Sequence, residues 1–295
     1  MNKSKNGWYH GLLAILLLSL TTIICFIPIL LIGFLKLFPN QHLKVLCTKW
    51  VDSIASLWSS INNYYISQTQ KTNWEISGLS GLNKNNWYLL VANHQSWLDI
   101  VVLQRILNRK IPMMKFFIKD QLKWVPLLGF AWWAMGCPFM KRYSKDYLAK
   151  NPQKKGKDLL ATQKAVQSFQ YSPVTIMNFI EGTRFTSNKS QQQQSPYQHL
   201  LKPKAGGISF VISSMGKKFA SLLDVTIVYS EKDHSLWDFL CKRVKTIKVH
   251  VRELPIPEEF FTPSLVEDNE IQSEFRDWLN NYWQDKDQLI ASLKT

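Results

Sequence analysis

The chain has 295 residues, enough for one large domain or two small ones and for a proper buried core. Lys and Arg number 36 against 21 Asp and Glu, a formal charge of +15, which favours nucleic acid, anionic lipid or an acidic carrier without choosing among them. The basic residues are scattered, with nothing closer to a run than Lys154-Lys155-Gly156-Lys157, and no zinc-finger, KH or RRM pattern is present, which argues against nucleic acid as a partner.

From the N-terminus, Gly11 to Leu35 is uncharged and rich in Leu, Ile and Phe. As a helix this stretch is about 37 Å long, enough for a hydrocarbon core of about 30 Å. The run ends in Lys36-Leu37-Phe38-Pro39-Asn40, which is no signal-peptidase site. Pro28 allows either a kinked membrane helix or a re-entrant hairpin. Lys3 and Lys5 precede the segment and Lys36, Lys44 and Lys49 follow it, which leans toward a cytoplasmic C-terminal body. His42 to Ile66 places Leu43, Leu46, Trp50, Ile54, Leu57, Trp58 and Ile61 on one helical face. It reads as a helix at the membrane interface or as an ordinary domain helix.

The body alternates. Strands are predicted at Asn73–Ser77, Trp87–Ala92, Lys115–Ile118, Cys137–Met140, Val174–Ile180, Leu222–Tyr229 and Thr246–Arg252. Helices are predicted at Ser96–Leu107, Lys157–Phe169, Gly206–Met215 and Asn269–Leu293. Ser187–Gln198 reads as a polar loop, and the apolar stretch Trp124–Met135 as domain core, an acyl-chain slot or a segment dipping into the interface. The expectation is an α/β fold with a mostly buried mixed sheet flanked by helices, residues 1–70 forming a membrane anchor and interfacial helix and residues 71–295 the body. Cys25, Cys47, Cys137 and Cys241 lie far apart, which argues against a disulfide framework or a zinc site and fits a reducing compartment.

Two blocks carry chemistry. Asn93-His94-Gln95-Ser96-Trp97-Leu98-Asp99 follows a strand. His and Asp five residues apart point about 140° apart on a continuous helix, so they meet only if His94 precedes the first turn and folds back. Asp99 would then fix the imidazole tautomer and leave the other nitrogen free to take a proton from a substrate hydroxyl. The plain alternative is that Asp99 only caps the helix behind Ser96. Phe179-Ile180-Glu181-Gly182-Thr183-Arg184 ends another strand. There Gly182 permits a tight turn, Arg184 suits a phosphate or carboxylate, and Glu181 could hold a hydroxyl or orient an arginine. A third piece, Gly136-Cys137-Pro138-Phe139-Met140-Lys141-Arg142, is a short strand ending in two cations. There is no Gly-x-Ser-x-Gly, no Walker loop, no dinucleotide fingerprint and no metal-ligand spacing. A His-Asp pair of this kind implies direct transfer, the nucleophile belonging to the substrate.

His94-x4-Asp99, Gly136-x-x-Phe139-Met140-x-Arg142 and Phe179-x-Glu181-Gly182-Thr183-Arg184 resemble, in order and spacing, three blocks of the glycerolipid acyltransferase family, the PlsC or 1-acylglycerol-3-phosphate acyltransferase type. The resemblance spans roughly Trp74 to Tyr229. It implies His94 as the base with Asp99 as its partner, Arg142 and Arg184 binding the acceptor phosphate, and Glu181, Gly182 and Thr183 shaping the pocket. It also implies acyl-CoA or acyl carrier protein as donor substrate with no further cofactor, a lysophospholipid such as lysophosphatidate as acceptor at its sn-2 hydroxyl, and contact with anionic lipid at a cell inner membrane. Ile180 replaces the proline usual before the Glu-Gly-Thr-Arg core, and Val225-Thr226-Ile227-Val228-Tyr229 lacks the two prolines usual in a fourth block. With Lys202-Pro203-Lys204-Ala205-Gly206-Gly207, these departures resemble a YihG-like sub-branch and leave other acceptors open, glycerol 3-phosphate among them. A lipid-binding protein on the same fold without catalysis is the rival from another class, and an intact His94–Asp99 pair speaks against it.

Overall fold

A computed structural model describes residues 7–126, 128–140, 169, 172–232 and 234–295. Its centre is a six-stranded sheet in the order β1-β8-β7-β2-β6-β3, built from β1 (Asn73–Ser77), β2 (Trp87–Ala92), β3 (Met114–Phe116), β6 (Thr175–Asn178), β7 (Phe219–Tyr229) and β8 (Thr246–Leu254). All neighbours pair parallel except β7 and β8, so the sheet is mixed as expected. The helices of the body are α3 (Leu98–Leu107), α4 (Leu128–Ala134), α5 (Ser187–Gln192), α6 (Ala205–Met215), α7 (Leu236–Leu240) and α8 (Asn269–Lys294).

Both faces of the sheet are covered, which is why β2 reads as an unbroken apolar run. Leu89 and Val91 face a cluster with Ile208, Val211, Phe275 and Trp283 from α6 and α8. Tyr88, Leu90 and Ala92 face the opposite cluster, with Val102, Leu103 and Ile106 of α3. Adjacent parallel strands β7, β2 and β6 therefore end side by side, and the loops that leave β2 and β6 carry the two sequence blocks.

The N-terminal segment forms one helix, α1 (Trp8–Leu35), running through Pro28 without a break, so no re-entrant turn divides it. Only 11% of its most apolar 18-residue window is buried, and Leu12, Leu16, Leu20, Ile24, Ile27 and Leu31 face outward. A core helix of a water-soluble body would show the opposite. A second helix, α2 (Gln41–Thr69), starts at Asn40, whose side chain accepts the Leu43 N–H, and turns back along α1. The face it buries differs from the one the large apolar residues suggest. Cys47, Val51, Ala55, Ser59, Asn62 and Ile66 pack inward while Leu46, Trp50, Leu57 and Ile61 stay exposed. Small side chains let helix backbones approach closely, and polar ones then bridge the gap. The Thr21 hydroxyl donates to Asn62 Oδ1 at 3.0 Å, and Trp58 Nε1 donates to Thr22 Oγ1 at 3.1 Å.

Several boundaries move. The predicted strand Lys115–Ile118 splits, with β3 joining the main sheet and β4 (Ile118–Lys119) pairing with β5 (Phe139–Met140). The strand predicted to Ile180 ends at Asn178, and the helix predicted from Ser96 starts at Leu98. The polar loop after the second block opens with α5, because Thr186 accepts the Lys189 N–H and caps it. Arg142 and all but Phe169 of the helix predicted at Lys157–Phe169 lie outside the described residues.

Under β7 lies a buried polar node. Asp224 is fully buried and accepts from Lys286 Nζ, from Tyr282 Oη at 2.7 Å and from both Nε and Nη2 of Arg252, at 2.9 and 2.7 Å. Burial alone pushes the Asp224 carboxyl up, but Lys286 and Arg252 more than offset it and leave it below its usual range. Asp224→Ala strands the ammonium of Lys286 in the core, a loss of about 3–5 kcal/mol. We expect an unfolding midpoint lower by at least ~6 °C in detergent, at about 2–4 °C per kcal/mol. Asp224→Leu combined with Lys286→Met should recover most of it.

Candidate active site

The strand order places His94 two residues beyond the end of β2 and Phe179 directly beyond the end of β6. Asn93 pins the loop to β7: its Nδ2 donates to Ile227 O and its Oδ1 accepts from Ile227 N, both at 2.9 Å. His94 then folds back over the start of α3, and its Nδ1 lies 2.8 Å from Asp99 Oδ2. The same oxygen accepts the N–H groups of Gln95 and Ser96 at 2.7 and 2.9 Å, while the Ser96 hydroxyl accepts the Leu98 N–H. One fully buried carboxylate thus both holds the loop ahead of α3 and pairs with the histidine. An oxygen that already takes two backbone N–H groups acts as an acceptor, so the imidazole donates from Nδ1 and keeps its lone pair on Nε2. Phe179 stacks on the ring at 3.9 Å and 15°, fixing its plane.

Glu181 does not face outward to hold a substrate hydroxyl or an arginine, as the sequence suggests. It is fully buried and braces backbone: Oε1 accepts the His94 N–H at 2.7 Å and Oε2 the Leu201 N–H at 2.9 Å. Gly182 makes the turn with φ of +70°, its N–H donating to Phe179 O at 2.9 Å. That left-handed conformation favours glycine. The Thr183 hydroxyl accepts from Lys189 Nζ at 2.8 Å, and the same ammonium donates to Arg184 O at 3.0 Å. Phe185 N–H donates to His94 O at 2.7 Å and ties the two loops together. Arg184 is exposed, with its guanidinium 5.6 Å above the Trp97 ring, on the rim next to His94. His94, Asp99, Glu181, Gly182, Thr183 and Arg184 are therefore brought together. Phe179 and Asn93 sit inside the blocks without having been singled out, and Lys189 carries no sequence signal of its own.

A family model described as Acyltransferase matches residues 73–230, more than half of the chain. The chain belongs to the acyltransferase family. It is 26% identical over 235 residues to mouse 1-acyl-sn-glycerol-3-phosphate acyltransferase epsilon, covering 70% of this chain and 58% of that protein. It is 22% identical over 261 residues to 2-acyl-1-lysophosphatidylinositol acyltransferase of Saccharomyces cerevisiae, covering 72% of this chain and 62% of that protein. The chain thus spans less than two thirds of the length of these relatives. The crystal structure of the 1-acyl-sn-glycerophosphate (LPA) acyltransferase PlsC from Thermotoga maritima superposes with a TM-score of 0.52 at 15% identity, covering 94% of this chain and 95% of that one, and shows a common fold.

In this acyltransferase-family chain the brace on the histidine loop is itself titratable. Burial raises the Glu181 carboxyl from 4.5 to about 7, against the two N–H donors and Lys286, which pull it down. With the folded value above the unfolded one, Glu181 contributes most stability below pH ~4.5, and that contribution is lost as pH rises through ~7. The full span is worth about 3 kcal/mol. Glu181→Gln cannot ionise and sets an amide NH2 against one of the two N–H groups. Within the range pH 5 to 8, its deficit in unfolding free energy relative to wild type should be largest at pH 5 and narrow by roughly 2–3 kcal/mol toward pH 8. A deficit that stays constant across that range would show that the carboxylate is ionised throughout.

Proposed function

We propose that the protein transfers a fatty acyl group from a thioester, acyl-CoA or acyl carrier protein, to the free sn-2 hydroxyl of lysophosphatidate. One observation carries the chemistry: the imidazole is held at Nδ1 by a fully buried carboxylate, and its other nitrogen has no hydrogen-bond partner among the described residues, the arrangement a general base needs. His94 Nε2 takes the hydroxyl proton as the acceptor oxygen attacks the thioester carbonyl carbon. The tetrahedral adduct collapses, the C–S bond breaks, and the imidazolium returns the proton to the leaving thiolate. The products are a phosphatidate ester and the free thiol of the carrier. Arg184 at the rim, with Arg142, pairs with the acceptor phosphate.

The same reading makes residues 1–70 the anchor and residues 71–295 the catalytic body. The outward apolar faces of α1 and α2 support attachment to a cell inner membrane, and the +15 charge supports contact with anionic headgroups on its cytoplasmic side. A lysophospholipid with a larger headgroup is the second acceptor reading, favoured by likeness to the yeast relative named for lysophosphatidylinositol and by the proline-free fourth block.

Purified full-length protein given labelled acyl-CoA and a panel of lysolipids tests both readings. His94→Ala should remain folded and lose at least ~10²-fold in turnover, and Asp99→Asn should also lose turnover. Wild-type rates in His94→Ala would rule out the base. Arg184→Ala should raise the acceptor KM about tenfold to a hundredfold and leave the donor KM nearly unchanged. A shift in the donor KM instead would place this arginine on the carrier.

A further inference from the structure

Tyr229 ends β7 beside the histidine loop, in the block where the sequence departs from the family pattern. Its hydroxyl donates to Asp99 Oδ1 at 2.7 Å, across 130 residues of sequence. Its ring lies flat on His234, 4.6 Å between centroids at 13°, and the His234 carbonyl accepts the Ser96 hydroxyl at 3.0 Å. The tyrosine is buried, as is the aspartate.

We propose that Tyr229 is a positioning residue for acyl transfer, the outer member of a His94–Asp99–Tyr229 relay that fixes the carboxylate and, through it, the imidazole. The proposal rests on His94 acting as the base. Asp99 Oδ2 already takes three donors, from His94, Gln95 and Ser96, so it has little freedom left. Oδ1 is the remaining end of the carboxylate, and Tyr229 sets its rotation and draws off part of its charge. Burial, and then the Asp99 charge, push the phenol well above its usual range, so it stays a donor throughout the working pH. Without the hydroxyl, Oδ1 is a buried acceptor with nothing to accept, and the charge concentrates on the oxygen facing His94. The carboxylate is then free to turn about its bond, and the imidazole loses its fixed orientation.

Among the described residues, the titratable groups around the pair come from three places. His94 comes from the loop after β2, Glu181 from the turn after β6, and His234 from the segment after β7, while Arg184 stands over Trp97. From β8 and α7 the same cluster receives apolar Ile247 and Phe239.

The test compares full-length wild type, Tyr229→Phe and His94→Ala with labelled acyl-CoA and lysophosphatidate between pH 5 and 9. Tyr229→Phe keeps the ring on His234. We expect its kcat to fall about threefold to thirtyfold and its acceptor KM to stay within about twofold. Tyr229→Met, a flexible apolar filler, carries the same readouts if the phenylalanine variant does not purify. A silent His94→Ala would remove the base and the relay together. An inactive His94→Ala beside a Tyr229→Phe whose profile superposes on wild type would remove the tyrosine alone. A loss confined to the acceptor KM would also overturn the relay, since it would make Tyr229 part of the acceptor pocket.

Discussion

One buried carboxylate organises the site. Asp99 is fully enclosed, and a charge taken out of water is costly unless donors replace the water it loses. Four do so: the imidazole, two backbone N–H groups and a phenol. They come from the loop after β2 and from the end of β7, so the aspartate is satisfied only when β2 and β7 are paired in the correct register. Satisfying that charge and fixing the His94 imidazole are the same event. Asp99 Oδ2 lies where the backbone of the loop ahead of α3 and the imidazole converge.

The same device recurs around it. Glu181 is a second fully buried carboxylate, spent on the backbone of the histidine loop and of Leu201. Asp224 is a third, spent on Lys286, Arg252 and Tyr282. Lys286 also donates to Val225 O and Thr226 Oγ1 at 2.9 Å, locking the strand that leads to Tyr229. Buried ionic groups are weak sources of net stability, but each demands one geometry. Three of them around adjacent parallel strands hold β7, β2 and β6 in the arrangement that delivers Tyr229, His94 and Glu181 to one edge. Ligands of α/β sheets bind outside the carboxyl ends of their strands.

The sequence was legible wherever a local pattern decides the outcome. The contiguous apolar run of β2 and the helical period of α8 name their own elements, and the spacing between His94 and Asp99 is meaningful because a strand precedes it. Legibility failed where tertiary partners choose. The pattern of α2 allowed an interfacial helix or a domain helix and did not say which stripe packs; packing against α1 and α3 selects the stripe with Cys47, Ala55 and Ser59, because small residues permit close approach. Ser56 and Ser60 then meet Asn108 of the segment after α3. Glu181 in a polar loop gives no sign that it turns inward, since its partners are backbone N–H groups that every sequence contains. Tyr229 reads as one more β-former at the end of a strand, because its partner is 130 residues away.

The outward face of α2 acquires a physical role when it is set beside α1. Leu46, Trp50, Leu57 and Ile61 on α2, and the row from Leu12 to Leu31 on α1, are all exposed on a pair of helices bridged to each other by Thr21–Asn62 and Thr22–Trp58. Exposed apolar surface of that extent is costly in water and favourable in lipid. The pair is also not a free tether. A methyl group added at Gly11 of α1 would strike Trp237 and Cys241, at α7 and its end, and α7 starts two residues after His234, which supports Tyr229 and Ser96. At the other end of α1, Lys36 donates to Ala134 O of α4 at 2.7 Å, and Gly33 leaves room for Phe130. The apolar helix is therefore docked at both ends onto segments of the body, one of them adjoining the histidine loop. The position of α1 and that of the histidine loop are thus linked through α7.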